Sequence, residues 1–542
     1  MTINNIFNII GGSGKPQWNT LRHNGPMFPD PYVKLDIPVI YKGVEIKINE
    51  SSEEYAYLYS KYLDSDYIKM NKFNKNFWKD WKPLLGKDHV IQNLEDCDFT
   101  LFKKYYDSQK DKLKNLTKEQ KEKIIQIKNE REEPYKYCYI DNVQVKVGNY
   151  KIEPPGIFIG RGNNPNIGKL KKRVMPQDVT LNLDDKAPIP VPNIKNHKWG
   201  EIIHDKTAVW LSSWKDDITG KNKYIFTSME SSFKAKSDET KFDLARKLKK
   251  KIKVIREDYT KQMESSDIKS KQLATALYFI DNLALRVGSS KSDNSNDTVG
   301  VTLLRKEHIL LLEDNKIKLD FLGKDSIRYC KVVSVPDVVY NNLKEFSDNK
   351  DKSDELFDKI TSTTLNDYLQ TFLTGLTAKT FRTMRASSTF ENEIEKINIP
   401  KMESLPESEK INILMNLFSQ ANTQVALLCN HQKAVSKSFK DSQTKIDDQI
   451  KELKKKAKKY KEGKKKESYD KVKSKIKLLK LKKETREKMK SVSLGTSKQN
   501  YIDPRIIVAF LKKFNIPSDK VFSKSLIDRF NWAFQVDGTY KF

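Results

Sequence analysis

Residues 317–330 read Ile317-Lys318-Leu319-Asp320-Phe321-Leu322-Gly323-Lys324-Asp325-Ser326-Ile327-Arg328-Tyr329-Cys330. Strand-like runs, Ile317 to Phe321 and Ile327 to Cys330, flank Gly323-Lys324-Asp325, a turn-forming triplet. The stretch is a β-hairpin with Lys324 near its tip. It interrupts a helical region. Upstream, Leu273, Leu277, Ile280, Ala284 and Val287 are spaced as one apolar stripe on a single helix. Gly288 then supplies the expected C-terminal stop. The segment 232–434 is therefore mostly helical with one hairpin.

Further outward the pattern changes. Residues 1–14 read as a tail. Gly11-Gly12-Ser13-Gly14-Lys15 hints at a phosphate loop, but Ile9 stands where the first glycine belongs and Pro16 where a magnesium-binding hydroxyl belongs. Residues 15–231 mix extended segments, short strands and helices. Thr117 and Gln120 have capping-box spacing at the head of a charged helix that Pro134 ends. Gly160-Arg161-Gly162-Asn163-Asn164-Pro165 is loop chemistry, and a basic cluster follows at Lys169, Lys171, Lys172 and Arg173. Residues 491–542 form a small closing domain. In it, Ile506 to Leu511 make a helix core, and Trp532 and Phe534 are packing residues.

Composition narrows the function. The chain has 542 residues, with 101 Lys and Arg against 72 Asp and Glu, a net charge of +29. Such a protein expects a polyanion, nucleic acid before an acidic membrane surface. Four scattered cysteines (Cys97, Cys138, Cys330, Cys429) and six histidines form no CxxC or HExxH, so no metal site is visible. No run of 18 apolar residues exists, which excludes an ordinary membrane span. Met1 to Ile10 is apolar but lacks the flanks of a signal peptide.

Charge is concentrated in residues 435–490, where 23 Lys and Arg face nine Asp and Glu. A disordered basic linker is one reading. Two apolar stripes favour another: Ile446, Ile450, Leu453, Ala457 and Tyr460, then Tyr469, Val472, Ile476 and Leu479, with Gly463 between them. These predict an antiparallel helical hairpin.

Five strings occur in order: Leu283-Ala284-Leu285-Arg286-Val287-Gly288; Phe321 to Tyr329; Leu376-Thr377-Ala378-Lys379-Thr380-Phe381-Arg382-Thr383; Cys429-Asn430-His431-Gln432; and Gly495-Thr496-Ser497-Lys498-Gln499-Asn500-Tyr501-Ile502-Asp503-Pro504-Arg505. Together they resemble the eukaryotic-type DNA topoisomerase I, or type IB, family. Lys151-Ile152-Glu153-Pro154-Pro155-Gly156 and Met175-Pro176-Gln177-Asp178 extend the likeness into the N-terminal half. It runs from about Lys15 to Phe542.

The resemblance implies an α+β multidomain protein that clamps around duplex DNA. Residues 15–231 would be a mixed α/β cap of two subdomains and 232–434 a mostly helical catalytic domain with a β-hairpin. Residues 435–490 would be a coiled-coil linker and 491–542 a small helical domain bearing the nucleophile. The implied activity is relaxation of positive and negative supercoils through a 3′-phosphotyrosine, strand rotation and religation. By the same resemblance neither ATP nor an obligatory metal would be required, and the protein would act as a monomer without a membrane. Tyr501 is the implied nucleophile. Arg286, Arg382 and His431 would donate to the non-bridging oxygens of the phosphorane, and Lys324 would protonate the leaving 5′ oxygen. The implied DNA contacts are Arg161, Lys234, Lys291, Asp325, Lys379, Thr383 and Asn500, giving salt-dependent binding with little sequence preference.

Each residue also has a plain alternative. Tyr501 is one of 23 tyrosines, and packing is the default for them. Arg286 would suit any helix C-terminus. Lys324 could be a turn residue, Arg382 could pair with a carboxylate, and His431 could be a satisfied core histidine. Met384-Arg385 replaces the family's usual Tyr-Asn, and Ile159 an arginine. Nuclear members carry a long charged N-terminal extension. This chain starts almost at the core, so a nuclear address is an expectation from the family alone. A tyrosine recombinase is a rival, though here Lys379-x-x-Arg382 stands in place of His-x-x-Arg. A non-catalytic DNA clamp is another.

Overall fold

The aromatic spacing of residues 73–81 organises the first core. Phe73, Phe77 and Trp81 fall four residues apart on one helix and are fully buried. Trp81 also donates its indole N–H to the Ser52 carbonyl at 2.8 Å. The computed structural model describes residues 16–228, 232–288, 297–397, 406–433, 435, 438–463 and 466–542. The tail with its Gly11–Lys15 stretch, the expected DNA contact Lys291, and residues 464–465 beyond Gly463 lie outside the described residues.

The chain divides into two compact units: residues 1–234 with 291–296, and residues 235–290 with 297–542. In the first, β1 (Leu21–His23) precedes β2 (Val39–Tyr41), β3 (Val44–Ile46), α1 (Glu50–Ser60), α2 (Asn71–Leu85), β4 (Cys97–Asp98), α3 (Thr100–Lys114) and α4 (Lys118–Glu132). Strand β2 lies between β3 and β4, antiparallel to both. Residues Thr117 and Gln120 do close a capping box at the head of α4.

Next come β5 (Tyr137–Ile140) and β6 (Val143–Lys146), which form an antiparallel sheet with β1. Then β7 (Gly156–Ile157) pairs with β8 (Leu170–Lys171). The strands β9 (Val179–Asn182), β10 (Glu201–Ile203), β11 (Trp210–Lys215) and β12 (Asn222–Phe226) follow. They form one sheet in the order β10-β9-β11-β12. It packs over a second core containing Trp18, Phe28, Leu181, Leu211 and Trp214.

The second unit holds α5 (Ser232–Gln262), α6 (Ile268–Asn282), β13 (Ile309–Leu312), β14 (Lys316–Gly323), β15 (Ile327–Ser334), α7 (Asp337–Ser347), α8 (Ser362–Phe372), α9 (Ala378–Glu395) and α10 (Glu407–Leu428). The long pair α11 (Phe439–Glu462) and α12 (Lys466–Met489) follows, then α13 (Leu494–Asn500), α14 (Pro504–Lys513) and α15 (Lys524–Arg529). One apolar core runs through it, from Ala245 on α5 to Phe542, with Trp532 and Phe534 packed against it.

The predicted β-hairpin is β14 and β15, in antiparallel register from Lys316↔Ser334 to Gly323↔Ile327. A third strand, β13, joins β14 on its other side and was not evident in the sequence. The basic segment folds as two helices linked by Asp447 with Lys483 at 2.6 Å and by Arg486 with Ser442 at 2.5 Å. Of the two stripes, only Ile446 and Ile450 are buried, because the seam dries toward its base.

One expectation is corrected. The stripe from Leu273 to Val287 is not a single helix. Helix α6 ends at Asn282, and Ala284 takes a left-handed φ of 51°. The chain leaves because residues 300–302 capture it. The N–H groups of Val301 and Thr302 donate to the carbonyls of Arg286 and Val287, each at 2.8 Å. Ala284 is buried all the same, by a loop where a helix was expected.

Candidate active site

Arg286 sits on that captured loop and not at a helix end. Gly288 and Gly300 cross so closely that a Cβ on Gly300 would fall 2.3 Å from Gly288 N and 2.8 Å from the Arg286 carbonyl. Val299 N–H in turn donates to the Leu322 carbonyl at 2.8 Å. Residues 299–301 thus link the arginine loop to the end of β14, one residue short of Gly323.

Arg382 lies inside α9 and is 7% exposed. Its two terminal nitrogens donate to the carbonyls of Ala284, at 2.8 Å, and of Cys429. One guanidinium therefore ties the loop before Arg286 to the turn before His431. Its Nε is buried with no hydrogen-bond partner. Burial lowers its pKa from the ordinary value, and Arg286 adds to the effect. Its guanidinium carbon lies 5.3 Å from the centroid of the Tyr501 ring.

His431 follows the end of α10. Its ring centroid is 5.1 Å from that of Tyr501. Nδ1 lies 2.7 Å from the Ser497 hydroxyl, and Nε2 is buried without a partner. Burial first, and then Arg382 and Arg286, push its pKa down to about 3. The imidazole is therefore neutral at neutral pH.

Tyr501 ends α13 and is 7% exposed. Ser387 on α9 holds it from behind. The Ser387 hydroxyl donates to the Tyr501 carbonyl at 3.1 Å and accepts the Asp503 N–H at 3.0 Å. Asp503 caps α14 and pairs with Arg505, which also reaches Asp243 on α5 at 2.8 Å. A second buried pair, Arg529 with Asp238, pins the C-terminal segment to the same helix at 2.7 Å.

The charged hairpin is an excursion closed at its base. Gln432 and Val492 form an antiparallel bridge. Lys433 N–H donates to Ser491 O at 2.9 Å, and Ser493 N–H to His431 O at 2.8 Å. This zip sets His431 beside Tyr501, although about 70 residues separate them in sequence.

The structure thus groups Arg286, Arg382, His431 and Tyr501. Lys324 stands apart, exposed at the hairpin tip. Among the described residues no hydrogen bond or ion pair links it to the other four. The hairpin is nevertheless anchored to their neighbourhood. Asn430 donates to Arg328 O and Lys331 to Leu427 O, both at 3.4 Å.

The expected DNA contacts divide. Lys379, Asn500 and Asp325 are exposed, Lys379 on the first turn of α9 and Asp325 at the hairpin tip with φ 67°. Thr383 is 1% exposed. It lies with Arg382 among the buried residues of α9. Arg161 belongs to the first unit, and Lys234, on the first turn of α5, is the residue at which that unit's first stretch ends. Arg161 is exposed between Gly160 and Gly162, both with left-handed φ. The basic cluster after it is partly engaged, Lys171 with Glu153 and Arg173 with Glu54. Sequence reasoning missed Ser387, Ser497 and Gly300. Only Ser497 carried a signal, one helical turn before Tyr501.

Among the described residues no cluster of His, Cys, Asp and Glu could hold a metal, and no helix is long and apolar enough to cross a membrane. Comparison with known proteins finds three matches in chain order. Residues 16–227 match the DNA binding fragment of eukaryotic DNA topoisomerase I, 230–466 its catalytic core, and 473–542 a C-terminal topoisomerase domain. The chain is 40% identical to DNA topoisomerase 1 beta of Arabidopsis thaliana, over 98% of its own length and 60% of the relative's. It is 43% identical to DNA topoisomerase 1 of Caenorhabditis elegans, over 95% and 66%. It is 39% identical to DNA topoisomerase 1 of Homo sapiens, over 97% and 72%. The chain therefore spans about three fifths to two thirds of the plant and nematode relatives.

Proposed function

The chain belongs to the eukaryotic DNA topoisomerase I family, and on that premise we propose that it relaxes supercoiled duplex DNA by transient cleavage of one strand. The observation that carries the reading is a buried tyrosine flanked by a guanidinium and an imidazole. Arg382 lies 5.3 Å from the Tyr501 ring centroid, and the neutral ring of His431 lies 5.1 Å from it. Packing alone does not account for two buried nitrogens, Arg382 Nε and His431 Nε2, left without hydrogen-bond partners.

In the proposed reaction the Tyr501 oxygen attacks phosphorus, and its proton passes to water. The new bond is a 3′-phosphotyrosine, and the bond to the 5′ oxygen breaks with its electron pair on that oxygen. Arg286, Arg382 and His431 stabilise the added charge of the phosphorane. An alkoxide leaving group has a conjugate acid of pKa above ~15 if it resembles water, so a donor is needed. Lys324 supplies that proton, which requires the hairpin tip to reach the scissile bond when DNA is bound. Religation runs the same steps backward, so the phosphotyrosine keeps the bond energy and no ATP is consumed.

A clamp on duplex DNA, with residues 15–231 as its cap and 232–434 as its catalytic part, is part of the same proposal. Arg161, Lys234, Lys291, Lys379, Thr383 and Asn500 would contact the DNA, and Asp325 would orient a donor. A monomer in the nucleus is the corresponding proposal for state and place.

The test is relaxation of positively and negatively supercoiled plasmid in EDTA without ATP. Wild type relaxes both, and Tyr501→Phe relaxes neither while still binding DNA. Folded, DNA-binding wild type that relaxes nothing across a salt series would reduce the reading to a non-catalytic clamp or a site-specific recombinase.

A further inference from the structure

We propose that Ser497 is a positioning residue, whose hydroxyl donates to Nδ1 of His431 and so fixes the imidazole as an Nε2–H donor to the phosphate. The inference rests on the topoisomerase reading and adds a residue to it.

Four observations carry it. Ser497 is fully buried, and its Oγ lies 2.7 Å from His431 Nδ1. It precedes Tyr501 by one helical turn, so one face of α13 presents both the nucleophile and the group that holds the histidine. The backbone zip at Ser493 and His431 keeps the two segments in register. Finally, Nε2 of His431 and Nε of Arg382 are both buried and unpaired.

A neutral imidazole carries one N–H, and the partner of one nitrogen decides which nitrogen has it. If Ser497 accepted from Nδ1–H, Nε2 would be a lone pair turned into the site, repelled by an incoming phosphate oxygen. If Ser497 donates, Nε2–H and the arginine N–H both seek one anionic acceptor, as a phosphate supplies. Among the described residues the groups that face His431 are Arg382, Arg286, Tyr501 and Ser497, and no carboxylate ion pair holds the ring. Ser497 is therefore the side chain that sets its tautomer.

The test combines imidazole 15N spectra with single-turnover cleavage of a nicked duplex. Wild type, Ser497→Ala, Ser497→Thr and His431→Gln are compared, the last assigning the His431 signal. The wild-type ring is expected to be neutral and protonated at Nε2. Ser497→Ala shifts it toward the other tautomer and slows cleavage by about tenfold or more, with DNA affinity unchanged. Ser497→Thr keeps the hydroxyl and restores both. A wild-type ring protonated at Nδ1 overturns the inference, and needs no variant to fold. So does native-rate cleavage by Ser497→Ala. Wild type that cleaves no duplex overturns the topoisomerase reading instead.

Discussion

Arg382 shows what one side chain does when it has two tasks. Its terminal nitrogens hold the carbonyls of Ala284 and Cys429, and so fix the loop of Arg286 and the turn of His431 together. A lysine cannot span both with one ammonium. Arg382→Lys is expected to lose about 1–3 kcal/mol of stability, from denaturant unfolding. Its single-turnover cleavage should fall by a factor of about 100 or more. Equal losses of stability with native cleavage would limit the residue to a structural role. His431 gives a pH prediction. Its folded pKa is about 3, against 6.5 for the free side chain. Below about pH 6.5 the unfolded chain takes up a proton that the folded ring refuses. Stability is therefore full above that pH and falls on acidification, by up to about 1.4 kcal/mol per pH unit. His23, buried with its Nε2 on the Asn182 carbonyl and pushed down to about 4, adds a like slope in the first unit. Unfolding midpoints between pH 7 and 4 should flatten for His431→Gln. An unchanged slope would mean that the ring protonates in place. The identity of Tyr501, Arg286, Lys324, Arg382 and His431 as candidates was legible from strings alone. Their supports were not, because a serine or glycine that acts through one contact has no pattern of its own.

At the scale of elements, the crossing at Gly288 and Gly300 decides where Arg286 stands. A methyl on Gly300 would meet the backbone of Gly288 and Arg286 on the facing loop, which cannot rotate away as a side chain could. Gly300→Ala is expected to displace the arginine loop and slow cleavage by a factor of about ten or more, measured beside a thermal scan that separates local from global loss. Native cleavage would show that the crossing can relax. The same place explains the failure of the apolar stripe. Its four-three spacing was right for the burial of Leu273, Leu277, Ile280 and Ala284 and wrong for a helix through Val287, since residues 301 and 302 take the Arg286 and Val287 carbonyls. The β-hairpin and the two charged helices, by contrast, were legible. Each is built from contacts between residues near in sequence, so its pattern is written locally. Strand β13 was missed because four consecutive apolar residues, Ile309–Leu312, fit a buried helix as well as a strand. The charged pair is closed at its base by Gln432 and Val492. Replacing residues 438–489 with a short flexible loop should therefore leave His431 beside Tyr501. Such a variant is expected to relax plasmid still, and loss of relaxation with intact folding would show that the helices act in catalysis.

For the whole molecule the governing quantity is charge. A net charge of +29 predicts DNA affinity that falls steeply with salt, since each phosphate contact contributes a slope of about 0.9 in log K against log salt. Excising the charged helices should flatten that slope in proportion to the contacts they make. A slope identical to wild type would place the helices away from DNA. Composition, net charge, the hairpin, the paired charged helices and the order of the five strings were determined by the sequence itself, for these depend on residue type and short spacing. Tertiary structure alone decided the rest: that α6 stops at Asn282, that Arg382 bridges two loops through their carbonyls, that Thr383 is packed inside, and that Ser497 meets His431. Thr383 is decided by the packing of α9, and the other three share one physical reason. Each depends on backbone carbonyls, N–H groups or hydroxyls brought together from segments up to about a hundred residues apart. Every residue has such backbone groups, whatever its side chain, so no residue type announces which of them will meet.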